Sequence, residues 1–321
     1  MKKISIGPRS IFGDGRFPEI GTLEWWLKDK EIKGNYIFLN CPCLSYQYEK
    51  YDFSLIEDKN CTIVINDAME GSSWLPQEIT NFTLYLRVCG VDPKRVLLIT
   101  QNYNYAYEEF PFQVVHWNLM ESFYRVRAKE WIDYNDDAKK FLCLNRWARP
   151  FRLEFMKRME GILDQFNYSL PDKAYDRGNL EKNLMMGGGL YWDFPEHKRD
   201  SLLYIVTESS FEGEHEHLRD VSEKTWRPIA LQMPFILLHE PFALRRLRDI
   251  GYRTFHTIWD ESYDTIVDPE KRMDAIVNLV LELNSRENFR GMIDSCRDIV
   301  EHNFAMLKMR RPEENWISLI R

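Results

Sequence analysis

A short stretch of the sequence places charged side chains directly ahead of an apolar run. Residues 220–238 read DVSEKTWRPIALQMPFILL, with Glu223, Lys224 and Arg227 just before residues typical of a buried strand. A helix N-terminus has unpaired N–H groups and partial positive charge, so a lysine and an arginine beside it complete an anion site. A carboxylate there accepts hydrogen bonds from vicinal sugar hydroxyls. We therefore predict a nucleotide-sugar site, with pyrophosphate on Lys224 and ribose on Glu223. The alternative is a solvated turn in which Glu223 and Lys224 pair with each other.

The helix in this stretch is predicted from its apolar spacing. Apolar residues recur at i, i+3, i+4 and i+7, the spacing of one helix face, at Trp226, Ile229, Ala230 and Met233. Pro228 lacks a backbone donor and clashes with the preceding turn, so it fits only the first turn of a helix. We therefore predict that Thr225 is the N-cap and that Glu223 and Lys224 lie in the loop before the helix. Ser222 and Arg227 are also predicted to bind the donor.

The composition is that of a globular protein. The chain has 321 residues, of which 44% are hydrophobic and 29% charged, and this length allows two domains. The formal net charge of -7 gives no overall attraction to nucleic acid or anionic lipid, so a local basic patch must hold any such partner. No apolar stretch approaches the ~20 residues of a membrane span, and MKKISIGPRSIFGDG lacks the apolar core of a secretory signal. We expect a cytoplasmic protein with no membrane partner.

Short β-branched runs alternate with helical patterns along the first half of the chain. Five runs are typical of buried parallel strands: KKISIG, NYIFLN (35–40), CTIVIN (61–66), RVLLIT (95–100) and QVVHWN (113–118). The predicted helices between them are PEIGTLEWWLKDKEI and PQEITNFTLYLRVCGV, and Gly90 in the latter is a helix stop signal. The alternation predicts an open α/β sheet with right-handed crossovers.

The second half repeats this alternation. After a predicted helix, LMESFYRVRAKEWIDYNDDAKK, the predicted strands are KFLCLN (140–145), SLLYIVTE (201–208), MPFILL (233–238) and YRTF (252–255). The predicted helices are PFRLEFMKRMEGILDQF, the segment after Ser222, EPFALRRLRDIG, PEKRMDAIVNLVLELNSR and a single C-terminal helix, FRGMIDSCRDIVEHNFAMLKMRR. We predict an α/β protein of two Rossmann-like domains, residues 1–137 and 138–321, that face a cleft. Ligands of such sheets bind beyond the carboxyl ends of the strands.

Residues 208–238, ESSFEGEHEHLRDVSEKTWRPIALQMPFILL, resemble the donor-binding motif of α-1,3-fucosyltransferases and related exostosin-like glycosyltransferases. In that motif an acidic and aromatic segment leads through a spacer to (S/T)-E-K, a helix and a hydrophobic strand. The resemblance implies a GT-B-like pair of domains, ribose binding by Glu223 and phosphate binding by Lys224. It also implies transfer with inversion and without a metal ion. The chain departs from the motif at Pro228 and in its long acidic spacer.

A second segment carries arginines at the start of a predicted helix. Residues 142–159, LCLNRWARPFRLEFMKRM, are similar to the fucosyltransferase segment in which a strand ending in Asn is followed by Arg-x-x-Phe. The arginine of that segment contacts the donor phosphates. Arg152 is the nearest equivalent here, with Arg146 and Arg149 as competitors. The alternative is that these arginines coat an exposed helix start.

Residues 138–280, from FLCLNR through SEKTWRPIA to GYRTF and WDESYD, resemble glycosyltransferase-like proteins of tailed bacteriophages. This resemblance implies a transferase in the host cytoplasm that acts on hydroxymethylated pyrimidines in double-stranded phage DNA, or on a glycan. DNA modification requires basic and aromatic residues, which RRLRDIGYR (245–253), FYRVRAKEW (123–131) and RWARPFR (146–152) would supply. The competing hypothesis is a non-catalytic nucleotide-sugar-binding protein.

Sugar transfer with inversion needs a general base that deprotonates the acceptor hydroxyl. In VINDAMEGSSW (64–74), the predicted strand delivers Asp67 and Glu70 to its carboxyl end, and we predict that one of them is the base. Asp14 in FGDGR is the next candidate. In WDESYD, Asp260 and Glu261 are candidates for contacts with donor hydroxyls. The alternative for each is a helix cap or a turn acid.

The histidines and cysteines do not predict a metal centre. His215 and His217 alternate with acids in FEGEHEHLRD, a pattern that rarely converges on one ion without a further ligand. The six cysteines are scattered, and the close pair, Cys41 and Cys43, fits neither redox nor zinc spacing. We therefore predict reduced cysteines, no metal, and no cofactor apart from the nucleotide-sugar co-substrate.

Overall fold

The computed structural model describes residues 27, 36–40, 48–50, 52–56, 61–67, 76–101, 110–128, 133–145, 148–171, 176–178, 200–212 and 221–320. These residues form two mainly parallel sheets with helices, which confirms the predicted α/β class and is compatible with Rossmann-like topology. The described residues up to Phe123 and those from Arg311 onward form one compact unit, unit 1, and those from Tyr124 to Arg310 form unit 2. Within these residues, no helix has the length and apolar character needed to cross a membrane.

Unit 1 contains a parallel sheet whose described strands lie in chain order. They are β1 (Tyr36–Asn40), β2 (Thr62–Asp67), β3 (Val96–Thr100) and β4 (Gln113–His116). Helix α1 (Pro76–Val88) connects β2 to β3, and α2 (Leu119–Arg127) follows β4. Short 3-10 helices cover Tyr48–Lys50, Phe53–Leu55 and Pro93–Arg95. These strands confirm four of the five predicted runs. The fifth, KKISIG, lies outside the described residues, as does PEIGTLEWWLKDKEI apart from Leu27.

The core of unit 1 lies between the sheet and α1. Alternate residues of a strand point to the same face, and those on this face pack in one cluster with Phe82 and Leu86 of α1: Ile37, Leu39, Ile63, Ile65, Val96 and Leu98. Helix α1 ends at Gly90, whose φ is 73°. The N–H groups of Val91 and Gly90 donate to the carbonyls of Leu86 and Arg87 at 2.8 and 2.9 Å. This is a Schellman ending, which confirms the predicted stop at Gly90.

The end of the chain belongs to unit 1. Helix α9 (Glu314–Ile317) packs near β4, with the ring centroids of Trp316 and Trp117 5.4 Å apart. Trp117 Nε1 donates to Ser122 Oγ at 3.0 Å, and Ser122 Oγ donates to Glu313 Oε2 at 2.9 Å. All four of these side chains are buried. This network attaches the C-terminal segment to residues almost two hundred positions earlier in the chain, which local sequence spacing does not indicate.

Unit 2 contains a sheet in which the direction of strand addition reverses. Its strands are β5 (Lys139–Leu144), β6 (Phe166–Pro171), β7 (Asp176–Gly178), β8 (Ser201–Thr207) and β9 (Phe235–Leu238). Their order is β7-β6-β5-β8-β9, and only β7 is antiparallel to its neighbour. The chain moves outward from β5 to β6, then returns to the other side of β5 for β8 and β9. A topological switch point therefore lies between β5 and β8.

The helices of unit 2 are shorter than several of the helices predicted from the sequence. They are α3 (Pro150–Arg158), α4 (Glu223–Ala230), α5 (Ala243–Asp249), α6 (Pro269–Ser285), α7 (Phe289–Ser295) and α8 (Arg297–Met309), with 3-10 helices at Glu160–Gln165 and Ser262–Thr265. The predicted helix over 119–140 ends at Arg127, and the single predicted C-terminal helix is two helices that meet at Cys296. Both C-terminal helices bury apolar residues, so apolar spacing alone could not locate the break.

In unit 2, a strand was missed and one predicted strand was wrong. The predicted helix over 150–166 ends at Arg158, and the polar sequence FNYSLP forms β6, which the sequence analysis missed. Conversely, the predicted strand 252–255 is an irregular segment after the end of α5. Asn303 of α8 accepts from the N–H of Arg253 at 2.7 Å and donates to its carbonyl at 2.8 Å. A side chain therefore satisfies the backbone that a neighbouring strand would otherwise pair.

Substitution of Gly251 tests whether the turn that ends α5 requires a glycine. Its φ is 99°, and a Cβ there would lie 2.8 Å from Met306 Cε. We expect Gly251→Ala to lower the free energy of unfolding by about 1–2 kcal/mol, because residues with a Cβ are strained at positive φ. Urea denaturation measures the loss. Gly161→Ala is the control, because a Cβ there meets nothing within 4 Å. An equal loss in both variants would contradict the assignment.

Candidate functional site

The switch point of unit 2 is lined by polar residues that follow its strands. Asn145 follows β5 and is 1% exposed, and Thr207 Oγ1 at the end of β8 donates to its Oδ1 at 2.6 Å. The N–H of Asn145 lies 3.0 Å from Ser169 Oγ in β6. Asn145 thus joins the carboxyl ends of three adjacent strands. In open α/β sheets this edge of a switch point is where ligands bind, and we take it as the candidate site.

Helix α4 begins earlier than the sequence predicted. Its N-cap is Ser222, whose Oγ accepts from the N–H of Lys224 at 3.3 Å. The prediction that Thr225 is the N-cap was therefore wrong, and Glu223 and Lys224 are the first two residues of the helix. Pro228 occupies its sixth position, where it removes the bond to a carbonyl four residues earlier. The helix accommodates this because it ends two residues later, at Ala230.

A buried carboxylate holds the start of α4. Glu208 directly follows β8 and is 1% exposed. Its Oε1 accepts from the N–H of Ser222 at 3.0 Å and from Thr225 Oγ1 at 2.6 Å. Its Oε2 accepts from Ser222 Oγ at 2.5 Å and from the N–H of Ser209 at 3.2 Å. Glu208 therefore caps α4 from outside the helix and fixes it to the end of β8.

Lys224 and Glu223 form an ion pair at the mouth of this arrangement. Lys224 Nζ lies 2.6 Å from Glu223 Oε1, and it also donates to Ser209 Oγ at 3.1 Å and Ser222 Oγ at 3.2 Å. The side chains of Lys224 and Glu223 are 18% and 32% exposed, so both reach solvent. The pairing named in the alternative interpretation is present. A bound phosphate would exchange with these contacts of Lys224, so the pair is compatible with the predicted anion site without testing it.

The charges around Glu223 favour its ionised form. Burial raises the pKa of Glu223, but the charge and hydrogen bond of Lys224 and the charge of Arg227 outweigh this, so its pKa falls to about 2. Glu223 is thus a permanent hydrogen-bond acceptor at neutral pH, as its predicted role with ribose hydroxyls requires.

The start of α3 brings two arginines to the same edge. Arg149, the N-cap of α3, donates to the carbonyl of Ser209 at 2.5 Å and is exposed. Arg152 is 1% exposed and donates to the carbonyls of Thr207 and Glu208 at 2.9 and 2.6 Å. Burial and the nearby charge of Arg149 lower the pKa of Arg152. Arg152 therefore supports the end of β8 in this structure, and its predicted contact with phosphate stays a prediction.

Arg227 lies deeper along α4. It is 7% exposed, and its guanidinium donates to the hydroxyls of Tyr124 at 3.4 Å and Tyr204 at 3.2 Å. Burial raises the pKa of both tyrosines, which therefore stay neutral and accept these bonds. Arg227 adds positive potential behind Glu223 and Lys224, one helical turn away.

The other predicted site residues are dispersed. Asp67 ends β2 in unit 1 and is completely buried. Asp260 is exposed and accepts from the N–H and hydroxyl of Ser262, and Glu261 is buried and accepts from the N–H of Phe255 at 2.8 Å. The two acids of WDESYD thus stabilise turns. Three candidate residues, Asp14, Glu70 and Arg146, lie outside the described residues, as do His215 and His217.

In the described part of the chain, metal ligands are not clustered and the cysteines are not joined in disulfides. No three side chains of His, Cys, Asp or Glu there are grouped to hold a metal ion. Cys61, Cys89, Cys143 and Cys296 are free thiols, and burial raises the pKa of both Cys143 and Cys296 to about 12. Buried thiols of this kind are inert.

The sequence places Glu208 among the residues at the carboxyl end of a predicted strand, but it does not indicate that Glu208 caps α4 or that Ser209 takes part in the site. Both lie at the carboxyl end of β8, which is where ligand sites of α/β sheets occur. Glu208 and Ser222 are 14 residues apart, which matches no helix or strand repeat. Local sequence spacing therefore could not predict their contact. The position after the strand was the available signal.

Comparison of the chain with protein-family models, with curated proteins and with solved structures finds no match. Function must therefore be argued from the site.

Glu208→Gln tests the external cap of α4. The amide would place a donor against groups that already donate, leaving at least one buried donor unsatisfied. We expect the free energy of unfolding to fall by about 1–3 kcal/mol, measured by urea denaturation at pH 7. Glu212→Gln is the matched control, because Glu212 is exposed on the same segment. Similar stability of the two variants would show that Glu208 does not hold the helix.

Lys224→Met tests the electrostatics of Glu223. The pKa of Glu223 is about 2, below its usual value of 4.5, and Lys224 is the largest of the groups that lower it against the effect of burial. Removal of the lysine should therefore raise that pKa. A lowered native pKa stabilises the fold above pH 4.5, and this contribution is lost as the pH falls through 2. NMR titration of the Glu223 carboxyl carbon measures the pKa directly. Lys157→Met, at an exposed lysine of α3, should leave it unchanged.

Proposed function

We propose that unit 2 binds a nucleotide sugar and that the protein is a glycosyltransferase of the two-domain, GT-B-like class. The observation that supports this best is the convergence at the switch point. The starts of α3 and α4 both reach Ser209, through Arg149 and Lys224, at the carboxyl edge between β5 and β8. Helix starts with adjacent cations favour phosphate groups.

In the proposed complex the diphosphate lies against Lys224 and Arg149 at the starts of α4 and α3. Glu223, released from Lys224, accepts hydrogen bonds from the ribose hydroxyls. The acceptor oxygen attacks the anomeric carbon, the bond from that carbon to the phosphate oxygen breaks, and the nucleoside diphosphate leaves with the bonding electrons. The positive groups stabilise the charge that develops on the leaving phosphate.

The general base and the acceptor are separate parts of the proposal. The base takes the proton of the acceptor hydroxyl. Glu70 and Asp67 stay the predicted candidates, although Asp67 is completely buried in this structure. The proposed acceptor is a hydroxymethylated pyrimidine of phage DNA, with a glycan hydroxyl as the second candidate. In the segment 245–253, Arg245 and Arg253 are exposed and available to DNA phosphates, whereas Arg248 pairs with Glu261.

A nucleotide-sugar-binding protein without catalysis is the alternative function. The buried state of Asp67 favours it, because a buried carboxylate does not meet an acceptor hydroxyl. Slow hydrolysis of the bound donor would separate the two, since a transferase hydrolyses its donor in the absence of acceptor and a binding protein does not.

The proposal predicts that one nucleotide among UDP, GDP, TDP and CMP raises the melting temperature. At ten times Kd the gain is roughly 1.4 kcal/mol, which a melting scan detects. Lys224→Ala should abolish the shift, and Lys157→Ala, at an exposed lysine on α3, should keep it. The absence of a shift with every nucleotide would contradict the proposal.

A further inference from the structure

A second carboxyl group lies at the same edge of unit 2, at the end of β9. Glu240 is 8% exposed, and Ser210 Oγ donates a short hydrogen bond to its Oε1. Among the described residues nothing donates to its other oxygen. In the described segments no cation lies within 4.0 Å of the Glu240 carboxylate, and its charge acts at longer range on the buried Arg272. A buried carboxyl group with one open acceptor is costly unless a ligand or solvent completes it.

The other buried acids of unit 2 are used differently. Glu208 accepts from two backbone N–H groups, Asp264 accepts from those of Leu244 and Arg245 at 2.8 and 2.9 Å, and Glu261 accepts from one. These acids cap helices or turns. Glu240 bonds instead to a serine hydroxyl, which rotates freely and can also accept. Unlike the other buried acids, Glu240 is therefore not explained by a role in holding the backbone.

The segment opposite Glu240 is held in place by Arg272. This residue is 1% exposed, and it donates to the carbonyls of Phe211, of Ile266 at 2.6 Å and of Val267 at 2.9 Å. Its guanidinium carbon lies 4.5 Å from the ring centroid of Phe211. Because Phe211 directly follows Ser210, these contacts fix the serine facing Glu240. Two acceptors, Ser210 Oγ and Glu240 Oε2, are thereby presented side by side.

This pair adjoins the anion cluster. Strands β8 and β9 are neighbours, with Thr207 opposite Leu238, so Glu240 follows β9 where Ser209 follows β8. Ser209 accepts from Lys224 Nζ, and the next residue, Ser210, donates to Glu240. Neighbouring strands are about 4.8 Å apart, so the pair lies within the length of one sugar ring from the proposed phosphate position.

We propose that Glu240 and Ser210 form a hydroxyl-binding subsite that selects the sugar of the donor. The two acceptors receive hydrogen bonds from adjacent hydroxyls of the sugar ring, while the nucleoside diphosphate is bound at Lys224. This inference rests on the proposed function, since it assigns the sugar end of the same ligand. A site built to accept hydroxyl protons discriminates strongly against ligands that lack them.

The test compares each nucleoside diphosphate with its sugar conjugate by isothermal titration calorimetry, using UDP with UDP-glucose, GDP with GDP-mannose and TDP with TDP-glucose. Glu240→Gln should raise Kd for the conjugate about tenfold, as expected for lost hydrogen bonds to a charged group. It should leave Kd for the free diphosphate unchanged. Glu212→Gln, the exposed control on the same segment, should change neither.

Other outcomes overturn the inference. Equal weakening of both ligands by Glu240→Gln, or no weakening of either, would make Glu240 a structural residue while leaving the nucleotide site intact. No binding of any diphosphate or conjugate by the wild type would instead overturn the proposed function, and the subsite with it. If Glu240→Gln does not fold by circular dichroism, Ser210→Ala carries the same test, because it removes one acceptor from a half-buried position.

Discussion

The geometry of the candidate site depends on the carboxylate of Glu208. It directly follows β8, which pairs with β5 and β9 on its two sides, so its position is set by the sheet. Glu208 accepts hydrogen bonds from Ser222 and Thr225, so it also fixes the position of the start of α4. This in turn fixes the positions of Glu223 and Lys224, the first two residues of α4. Since the interaction is buried and each oxygen accepts two hydrogen bonds, it ties the start of α4 to the end of β8.

Charged residues at this edge divide into those that support the fold and those that face outward. Arg152 and Arg272 are almost completely buried, and both donate to backbone carbonyls that follow strands or precede helices. Lys224 and Glu223 reach solvent and bond mainly to side chains. Backbone partners hold a charge in a structural role, whereas side-chain partners rearrange at little cost when a ligand arrives. This distinction separates the candidate ligand groups from the charged framework around them.

Strand prediction from the sequence succeeded for the apolar runs and failed for a polar strand and for a segment whose backbone a side chain pairs. The runs CTIVIN, RVLLIT and SLLYIVTE became β2, β3 and β8, because strands covered on both faces are continuously apolar. FNYSLP became β6 despite its polar residues, since Asn167 donates to the neighbouring Ser201 and Ser169 bonds to Asn145. YRTF has the composition of a strand, but a side chain from α8 took its backbone bonds. The residue composition of a segment indicates whether it is buried. Whether it pairs as a strand depends on which segment lies next to it in the fold.

The sequence by itself determined the α/β class, the alternation of strands and helices, the stop at Gly90, and the concentration of charge at residues 223–227. These follow from local spacing and conformational preference, which act within a few residues. The tertiary structure decided the reversal of strand order around β5, the cap that Glu208 supplies to α4, the true start of that helix, and the return of the C-terminal segment to Trp117. Each of these joins residues far apart in the chain, and the free energy that selects such contacts comes from burying and satisfying groups whose partners no local pattern specifies.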